Sequence, residues 1–306
     1  MHEPIYSIII PHRNISHLLQ RCINSIPSRK DVEVIVIDDC SDANYREDLV
    51  KIRDTHPNVR FVMNSQCRGG GAARNLGLEH VTGKYVIFAD ADDYFNDCFD
   101  DILNDYKQAD YDLIFFRGNS VDSETYLPAN RASHLNKYVN AYLSEEDKDG
   151  QMLRYLFGEP WARFVKRSVI KEHNVRFDET LIHNDTTFAY LVGYYGKSMC
   201  VDDRELYCVT VRRNSVSQTS NIDNALIRIE VFGRAEQFLM VHGIKVIPNK
   251  HFVKLDILLT HFHFNAVQKG IRILRKQGFS YSRILRRMMD AFLVILKEKI
   301  QQTKSY

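Results

Sequence analysis

Short apolar runs alternate with longer amphipathic stretches through the first 95 residues. Strands are expected where about five apolar, β-branched or aromatic residues follow one another, and helices where apolar residues recur every three or four positions. Regular alternation of the two predicts an α/β fold, in which a mostly parallel sheet carries helices on both faces. The predicted elements are the strands Tyr6–Ile10, Val32–Ile37, Val59–Met63 and Tyr85–Ala89 and the helices His17–Ile26, Asn44–Thr55 and Gly71–His80.

Beyond residue 95 the pattern is less regular, and in the last quarter it becomes purely helical. We expect an α/β domain over residues 1–220, with halves 1–95 and 96–220, and an all-α appendage over residues 221–306. The predicted elements are strands at Asp112–Arg117 and Tyr207–Arg213, an irregular stretch at Asn119–Arg131, a turn at Ser144–Asp149, and helices at Asn96–Ala109, Leu135–Phe157, Thr186–Tyr195, Asn224–His242, Asn249–Gln277 and Ser280–Gln301.

Three of the predicted strands end in polar residues. Pro11-His12-Arg13-Asn14 follows the first strand, Asp38-Asp39 the second, and Asp90-Ala91-Asp92-Asp93 the fourth. In open α/β sheets, ligands bind outside the carboxyl ends of the strands, so these residues are expected at one rim. One polar strand end is common, whereas three of them predict a binding site.

The last of these strand ends carries three carboxylates. Period-two alternation puts Asp90 and Asp92 on one side of the chain and Asp93 on the other. Neighbouring carboxylates repel each other unless a cation compensates, and Mg²⁺ or Mn²⁺ is commonly held by one or two carboxylates plus substrate phosphates. A metal site at Asp90 and Asp92 is one hypothesis. An acidic turn that caps the next helix is the other, and these residues alone leave both open.

A glycine-rich segment, Arg68–Gly77, precedes the fourth strand. Its glycines permit close backbone approach, its helix start offers free N–H groups, and Arg68 and Arg74 can pair with phosphate oxygens. A dinucleotide fingerprint would follow the first strand instead, which argues against a dehydrogenase. The segment therefore predicts either an anion site or a flexible loop with a helix start.

Composition narrows the class of protein. The chain has 306 residues, 44% of them hydrophobic, with a net charge of +2, so nothing in the balance calls for nucleic acid. The apolar run after Met1 is too short for a signal peptide, and no apolar run reaches membrane-spanning length. The six cysteines include no CxxC pair, so reduced thiols are expected and structural zinc is not. We expect a cytoplasmic location.

In combination and in this order, the segments Ser7–Pro11, Ile37–Asp42, Arg68–Gly77 and Phe88–Asp93 resemble the nucleotide-sugar half of family 2 glycosyltransferases, which have the GT-A fold. The resemblance implies a UDP-sugar or similar donor and a Mn²⁺ or Mg²⁺ cofactor. By this resemblance Asp39 binds the base, Arg74 the base or phosphates, Asp90 the ribose, and Asp92 the metal. The family usually has an aromatic residue where Arg13 stands; a guanidinium can also stack on a base. The donor-binding candidates are Pro11, Arg13, Asp39, Arg68, Arg74, Asp90 and Arg212, and the metal candidates are Asp92 and Asp90.

The resemblance extends into the second half. The segment Trp161–Ser168 is similar to one that flanks the acceptor site of the family, and Asp185 stands where the family has its catalytic base. Asn184 replaces a glutamate of the family pattern. Capping of the helix that follows is an alternative role for Asn184 or Asp185. The segment around Arg212 resembles one that closes over the donor phosphates, with a solvated basic turn as the alternative.

These inferences together predict an inverting, metal-dependent glycosyltransferase. Asp185 would accept the proton of an acceptor hydroxyl, on a glycan or a lipid-linked acceptor, while the nucleotide leaves from the opposite face. Two other classes of protein stay open. One is a nucleotidyltransferase, which uses a similar sheet and metal. The other is a non-catalytic nucleotide-sugar-binding protein, because Asn184 replaces the glutamate of the family pattern.

The C-terminal helices are strongly basic. Residues 269–299 contain nine lysines and arginines against two acidic residues, Asp290 and Glu298, and apolar residues recur among them at helical spacing. A basic amphipathic helix suits an anionic membrane, and the resemblance makes peripheral contact with the inner face of the membrane plausible. Packing of the apolar stripe on the protein itself is the alternative.

Overall fold

The computed structural model describes residues 3–212, 221–245 and 263–290, and residue 293. Its contacts divide the chain into two compact units. The first unit comprises Met1–Glu179 and Thr187–Ser215, and the second comprises Thr180–Thr186 and Val216–Tyr306. Each unit is considered by itself below.

The first unit contains eight strands and most of the helices of the described chain. The strands are β1 Tyr6–His12, β2 Val32–Asp39, β3 Val59–Asn64, β4 Tyr85–Phe88, β5 Tyr94–Phe95, β6 Leu113–Asp122, β7 Arg163–Lys166 and β8 Met199–Val211. The helices are α1 Ser16–Asn24, α2 Ala43–Thr55, α3 Gly70–Leu78, α4 Phe99–Asp105, α5 Ser133–Leu143, α6 Gln151–Tyr155, α7 Arg167–Glu172 and α8 Thr186–Tyr195, of which only the first residue, Thr186, groups with the second unit.

All eight strands form one sheet in the order β3-β2-β1-β4-β7-β6-β8-β5. The first four strands in this order run parallel, and β6 also runs parallel to β8. Only β7 and the short β5 pair antiparallel with their neighbours. The predicted α/β class with a mostly parallel sheet is confirmed. The carboxyl ends of β1, β2 and β4 meet at one edge, as the sequence predicted.

Helix α3 lies close against the sheet because of a glycine. A Cβ atom on Gly77 would come within 2.6 Å of Ile9 Cγ2 on β1, which is nearer than two carbon atoms can approach. The missing side chain lets the helix sit directly over the completely buried residue Ile9. This contact sets how closely α3, which carries most of the glycine-rich segment, lies against β1.

The structure differs from the sequence prediction mainly in the second half. Strand β6 runs on to Asp122, and β8 starts at Met199, eight residues before the predicted strand. The β6–β8 pairing contains register shifts around Arg117. Such irregularities break the period-two alternation by which strands are recognised, and this explains why both were predicted too short.

Helices of the second half also differ. The helix predicted over Asn96–Ala109 is shorter and covers Phe99–Asp105, since Tyr94 and Phe95 just before it pair with β8. The helix predicted over Leu135–Phe157 consists of two helices, α5 and α6, with the predicted turn between them. Helix α7 was not predicted.

The second unit contains α9 Ile222–Val241, α10 Phe264–Lys276 and a helical stretch at residues 281–290. The predicted C-terminal helices are therefore present where the chain is described, whereas 249–262 and most of 291–301 lie outside the described residues. Among the described residues, no helix is both long enough and apolar enough to cross a membrane.

A completely buried carboxylate, Glu236 on α9, organises part of this unit. Arg283 pairs with its Oε1 at 2.5 Å and Arg287 with its Oε2 at 3.4 Å. Two of the nine basic residues of 269–299 therefore have an acidic partner outside that segment.

Candidate active site at the strand ends

The ends of β1 and β2 are joined by a buried histidine–aspartate pair. His12 Nδ1 lies 2.8 Å from Asp38 Oδ1, and the backbone N–H of Ile15 donates to His12 Nε2 at 3.3 Å. Because a backbone N–H can only donate, Nε2 accepts and Nδ1 carries the proton that is donated to Asp38. Through these two contacts His12 fixes the loop after β1.

Asp38 is the structural member of the Asp38-Asp39 pair. Ser41 donates to it twice, from Oγ to Oδ1 at 2.6 Å and from N to Oδ2 at 3.0 Å. Burial raises the pKa of Asp38, but the hydrogen bonds from His12 and Ser41 outweigh burial, so the pKa lies below its ordinary value. This carboxylate is fully engaged by the protein.

Arg13 is exposed beside this loop. The residue after it, Asn14, has a left-handed backbone (φ 58°) and exchanges hydrogen bonds with Asp42: Nδ2 donates to the carboxylate at 2.9 Å, and Oδ1 accepts from the backbone N–H at 2.8 Å. Pro11 lies in β1 opposite Ile37 of β2. These contacts hold the loop that carries the exposed Arg13 at the strand ends.

Asp39, predicted to bind the base, is almost completely buried at 4% exposure. Its Oδ1 accepts from Asn64 Nδ2 at 2.7 Å and its Oδ2 from Gly69 N at 2.8 Å. Gly69 has φ 87°, a left-handed conformation that favours glycine. Asp39 thus anchors the loop from β3 to α3, which brings the glycine-rich segment next to the end of β2.

The same loop is joined to β2 by a disulfide bond between Cys40 and Cys67, with their Cα atoms 5.3 Å apart. The expectation of reduced thiols is wrong for this pair. The two cysteines are separated by 27 positions and only the tertiary fold brings them together, so their spacing gave no signal. The other four cysteines are free thiols.

Arg74, on α3, is buried, and its Nη2 pairs with Asp90 Oδ1 at 2.5 Å. Its guanidinium also lies 5.5 Å from the ring centroid of Phe177. Arg68, at the other end of the segment, is exposed and pairs with Glu179 Oε2 at 2.9 Å. The structure therefore brings Arg74 to the acidic strand end and pairs Arg68 with a carboxylate further along the chain.

Asp92 and Arg212 form an ion pair across 120 residues of sequence. Arg212 Nε and Nη2 lie 2.8 and 2.6 Å from Asp92 Oδ2. Asp93 lies in the same segment, outside the regular strands. It is buried, accepts from Thr210 N at 2.7 Å, and has a pKa raised well above the ordinary value, first by burial and then by Asp92 and Asp90.

Two aromatic residues support the backbone of the acidic segment. The N–H of Asp90 donates to the hydroxyl of Tyr207 at 2.7 Å, and the Tyr207 ring stacks on Trp161 with 5.4 Å between centroids. Trp161, expected near the acceptor from the resemblance, is 3% exposed and packs inside the core. Its observed role is to support Tyr207.

The carboxylates of this segment suit a hard divalent cation. Arg74 contacts only Oδ1 of Asp90, and Arg212 contacts only Oδ2 of Asp92, so each carboxylate keeps one oxygen to which no described residue is hydrogen-bonded. Mg²⁺ and Mn²⁺ need one or two such oxygens when a diphosphate supplies others. Among the described residues, no group of three or more acidic, histidine or cysteine side chains forms a closed metal site.

Asp185, the predicted base, lies in the turn just before α8 and is half-buried. It belongs to the stretch Thr180–Thr186, which groups with the second unit. The neighbouring Asn184 donates from Nδ2 to Thr180 O at 3.5 Å. Both roles proposed for Asp185, base and helix cap, stay predictions.

A cavity of about 910 Å³ adjoins Arg212, within the size range of ligand pockets. Its lining is mostly polar and comes from α1, from the turn after β6 and from the end of β8. Arg21, on α1, lines this cavity and was missed by sequence reasoning. A charged residue directly before the buried Cys22 of an amphipathic helix is the signal that could have found it.

The fold and the cluster at its strand ends define a class of protein. Residues 7–173, more than half of the chain, match the model of the family described as glycosyl transferase family 2. The chain belongs to this family, and its α/β fold is the GT-A fold of glycosyltransferases.

Curated relatives carry related names. EpsJ, an uncharacterized glycosyltransferase of Bacillus subtilis, is 26% identical over 230 residues, which cover 70% of this chain and 63% of EpsJ. The glucosyltransferase WfaP of Escherichia coli is 32% identical over 93 residues, 30% of this chain and 37% of WfaP. The matched stretch thus spans less than two thirds of either relative.

Solved structures match almost the whole chain. TarS residues 1–349 of Staphylococcus aureus, in complex with UDP-GlcNAc, has a TM-score of 0.63 at 17% identity and covers 97% of this chain and 92% of the TarS chain. The mannosyltransferase PcManGT of Pyrobaculum calidifontis, in complex with GDP-Man and Mn²⁺, has a TM-score of 0.54 at 16% identity and covers 99% of this chain and 84% of its own. At these identities the likeness concerns the fold.

Proposed function

We propose that the protein transfers a sugar from a nucleoside-diphosphate donor, a UDP-sugar first, to a hydroxyl group of a glycan or lipid-linked acceptor, with inversion at the anomeric carbon. One observation carries the proposal: Arg13, Asp39, Arg74, Asp90 and Asp92 come together at neighbouring strand ends, and Arg212 joins them from β8. Open α/β sheets bind their ligands at this edge.

The donor would lie along this edge. Arg13 would stack on the base beside Asp39, with Pro11 below; Asp90 would bind the ribose, and Arg74, Arg68 and Arg212 the phosphates. Guanidinium groups pair well with phosphate oxygens, and Arg74 is already desolvated. The bound UDP-GlcNAc of TarS and the UDP-Glc in the name of WfaP support a UDP-sugar.

Mn²⁺ or Mg²⁺ would be held by Asp92, with Asp90 beside it. The ion would supply positive charge to the leaving diphosphate. The Mn²⁺ in the PcManGT complex supports this choice of cofactor. Arg212 would leave Asp92 for the diphosphate when the ion binds, so that both charges of the pair stay compensated.

Asp185 would accept the proton of the attacking hydroxyl. An aspartate is a weak base, but the hydroxyl becomes acidic as the new bond forms, so positioning supplies most of the rate gain. The acceptor is proposed as a glycan or lipid-linked sugar, which the diphosphoundecaprenol acceptor in the name of WfaP supports.

A product assay tests the proposal. The protein is incubated with Mn²⁺ and a panel of UDP- and GDP-sugars, with and without a lipid-diphosphate sugar acceptor, and the nucleotide products are separated. Nucleoside diphosphate as product supports glycosyl transfer or donor hydrolysis. Pyrophosphate would indicate a nucleotidyltransferase, and donor binding without turnover would indicate a binding protein.

Peripheral membrane contact through the C-terminal helices is a separate proposal. Tyr281, Leu285 and Met289 are more than 60% exposed and recur four positions apart, beside basic residues that include Arg286. Such a surface suits anionic lipid. Binding to anionic liposomes should weaken with salt and on charge reversal of the exposed residues Arg286 and Lys269; a full-length protein that ignores these liposomes at low salt would contradict the proposal.

A further inference from the structure

Arg21 contacts three separate parts of the first unit. From α1 its Nη2 donates to the backbone carbonyl of Asp92 and approaches Thr210 Oγ1 at 3.5 Å. Its Nη1 lies 3.3 Å from both Ser123 O and the hydroxyl of Tyr126. One guanidinium thus links α1, the acidic segment, the end of β8 and the turn after β6.

Two aromatic rings hold the guanidinium in place. Its carbon lies 5.2 Å from the ring centroid of Tyr94 and 5.8 Å from that of Tyr126. These distances are within the range of cation–π attraction. A planar group fixed by aromatic rings and by hydrogen bonds has little freedom, so the atoms it contacts are fixed as well.

Those atoms determine where Asp92 and Arg212 lie. Thr210 Oγ1 also donates to the carbonyl of Asp92, at 2.7 Å, and Thr210 N donates to Asp93. Asp92 O therefore accepts from both Arg21 and Thr210, and Arg212 follows Thr210 by two residues. Arg21 thus contacts the main chain of Asp92 and the side chain of Thr210, which lies two residues before Arg212, the ion-pair partner of the Asp92 carboxylate.

We infer that Arg21 is a positioning residue that sets Asp92 and Arg212 for the diphosphate end of the donor. The inference rests on the proposed function, since it assigns Arg21 to the same site. Arg21 contacts the main chain of Asp92, so it acts on the ligand through Asp92 and Arg212.

The test compares Arg21→Met and Arg21→Lys with wild type by calorimetric titration of UDP, GDP and uridine, with and without Mn²⁺. Arg21→Met should weaken Mn²⁺-dependent diphosphate binding about 10-fold or more, because several charge-assisted contacts are lost. Uridine affinity should stay unchanged, since the base end does not depend on Arg21. Arg21→Lys keeps the positive charge but loses the planar guanidinium with its several donors. Its diphosphate affinity should therefore lie between those of wild type and Arg21→Met.

Arg46→Met is the matched control, because Arg46 is exposed on α2 and the substitution removes the same charge. It should bind all three ligands like wild type. Urea unfolding of each variant separates folding from positioning: loss of uridine and diphosphate binding together with a lowered midpoint would mean a structural role only and would overturn the inference.

Equal diphosphate affinity in wild type and Arg21→Met would also overturn it. If wild type binds neither UDP nor GDP, the proposed function fails, and the inference falls with it. The two failures are thus distinguished by the wild-type titration.

Discussion

The carboxylates at the strand ends are compensated by arginines from other elements of the fold. Asp90 pairs with Arg74 and Asp92 with Arg212, and in each case no residue of the described chain is hydrogen-bonded to the other carboxylate oxygen. On donor binding at this site, a divalent ion would take over from Arg212 in compensating the charge of Asp92, and Arg212 would compensate the diphosphate. Sequence patterns identified all four residues, but the Asp92–Arg212 pairing spans 120 positions and follows from the sheet alone.

Asp185→Asn is predicted to abolish transfer while donor affinity is kept. The amide can still cap a helix but cannot accept the hydroxyl proton, so a loss of about 100-fold or more in turnover is expected. Turnover and nucleotide affinity are measured on the same preparation. Activity within a few-fold of wild type would make capping the better account of Asp185.

Asp38→Asn is predicted to destabilise the fold near neutral pH by about 1–3 kcal/mol, because its amide would meet the backbone N–H of Ser41 donor to donor. The pKa of Asp38 is lowered in the fold, so the carboxylate stabilises above its unfolded pKa, about 4, and the benefit is lost as pH falls through the lower folded pKa. Urea unfolding from pH 7 to pH 3 measures this.

The difference between wild type and Asp38→Asn should be constant from pH 7 to about pH 5 and shrink below about pH 4. A difference that grows with acidity would contradict the assignment of Asp38 as a charged acceptor for His12 and Ser41.

At the scale of elements, Gly77→Ala tests how α3 is seated on β1. The new Cβ would lie 2.6 Å from Ile9 Cγ2, so α3 must shift, at an expected cost of about 1–3 kcal/mol. Gly158→Ala is the control, since a Cβ there meets no atom within 4 Å. Equal urea midpoints for the two variants would show that α3 has room that the structure does not indicate.

Removal of the disulfide tests the link between the end of β2 and the loop before α3. Cys40→Ser opens a loop of 27 positions and is expected to lower the free energy of unfolding by about 3–4 kcal/mol. Dithiothreitol should lower the melting temperature of wild type and leave Cys40→Ser unchanged. Cys98→Ser, a free thiol, is the control; a wild type insensitive to reductant would contradict the bond.

The sequence predicted the elements of the first 95 residues well, because buried parallel strands are continuous apolar runs with clear polar ends. The later strands were harder to predict from the sequence. β6 and β8 owe their length to each other through an irregular pairing, and β5 is two residues that form a strand only against Tyr207 and Cys208. Neither feature has a local signature, which is why sequence reasoning failed there.

At the scale of the whole molecule, the proposed site lies at one edge of the sheet, and the excess of basic residues lies in the last helices. The net charge of +2 conceals a local excess of basic residues in 269–299. Part of that excess is structural, since Arg283 and Arg287 neutralise the buried Glu236. A variant that removes one of these arginines would test folding of the second unit, so exposed Arg286 and Lys269 are better choices for tests of lipid binding.

The central claim is that the strand-end cluster binds a nucleoside diphosphate with a divalent ion at Asp92. Calorimetric titration of UDP and GDP, with and without Mn²⁺, into wild type, Asp92→Ala and the exposed control Asp97→Ala tests it most directly. We predict Mn²⁺-dependent binding to wild type and Asp97→Ala and its loss in Asp92→Ala, with the fold intact. Unchanged Mn²⁺-dependent affinity in Asp92→Ala, or no binding of either nucleotide to wild type, would contradict the claim.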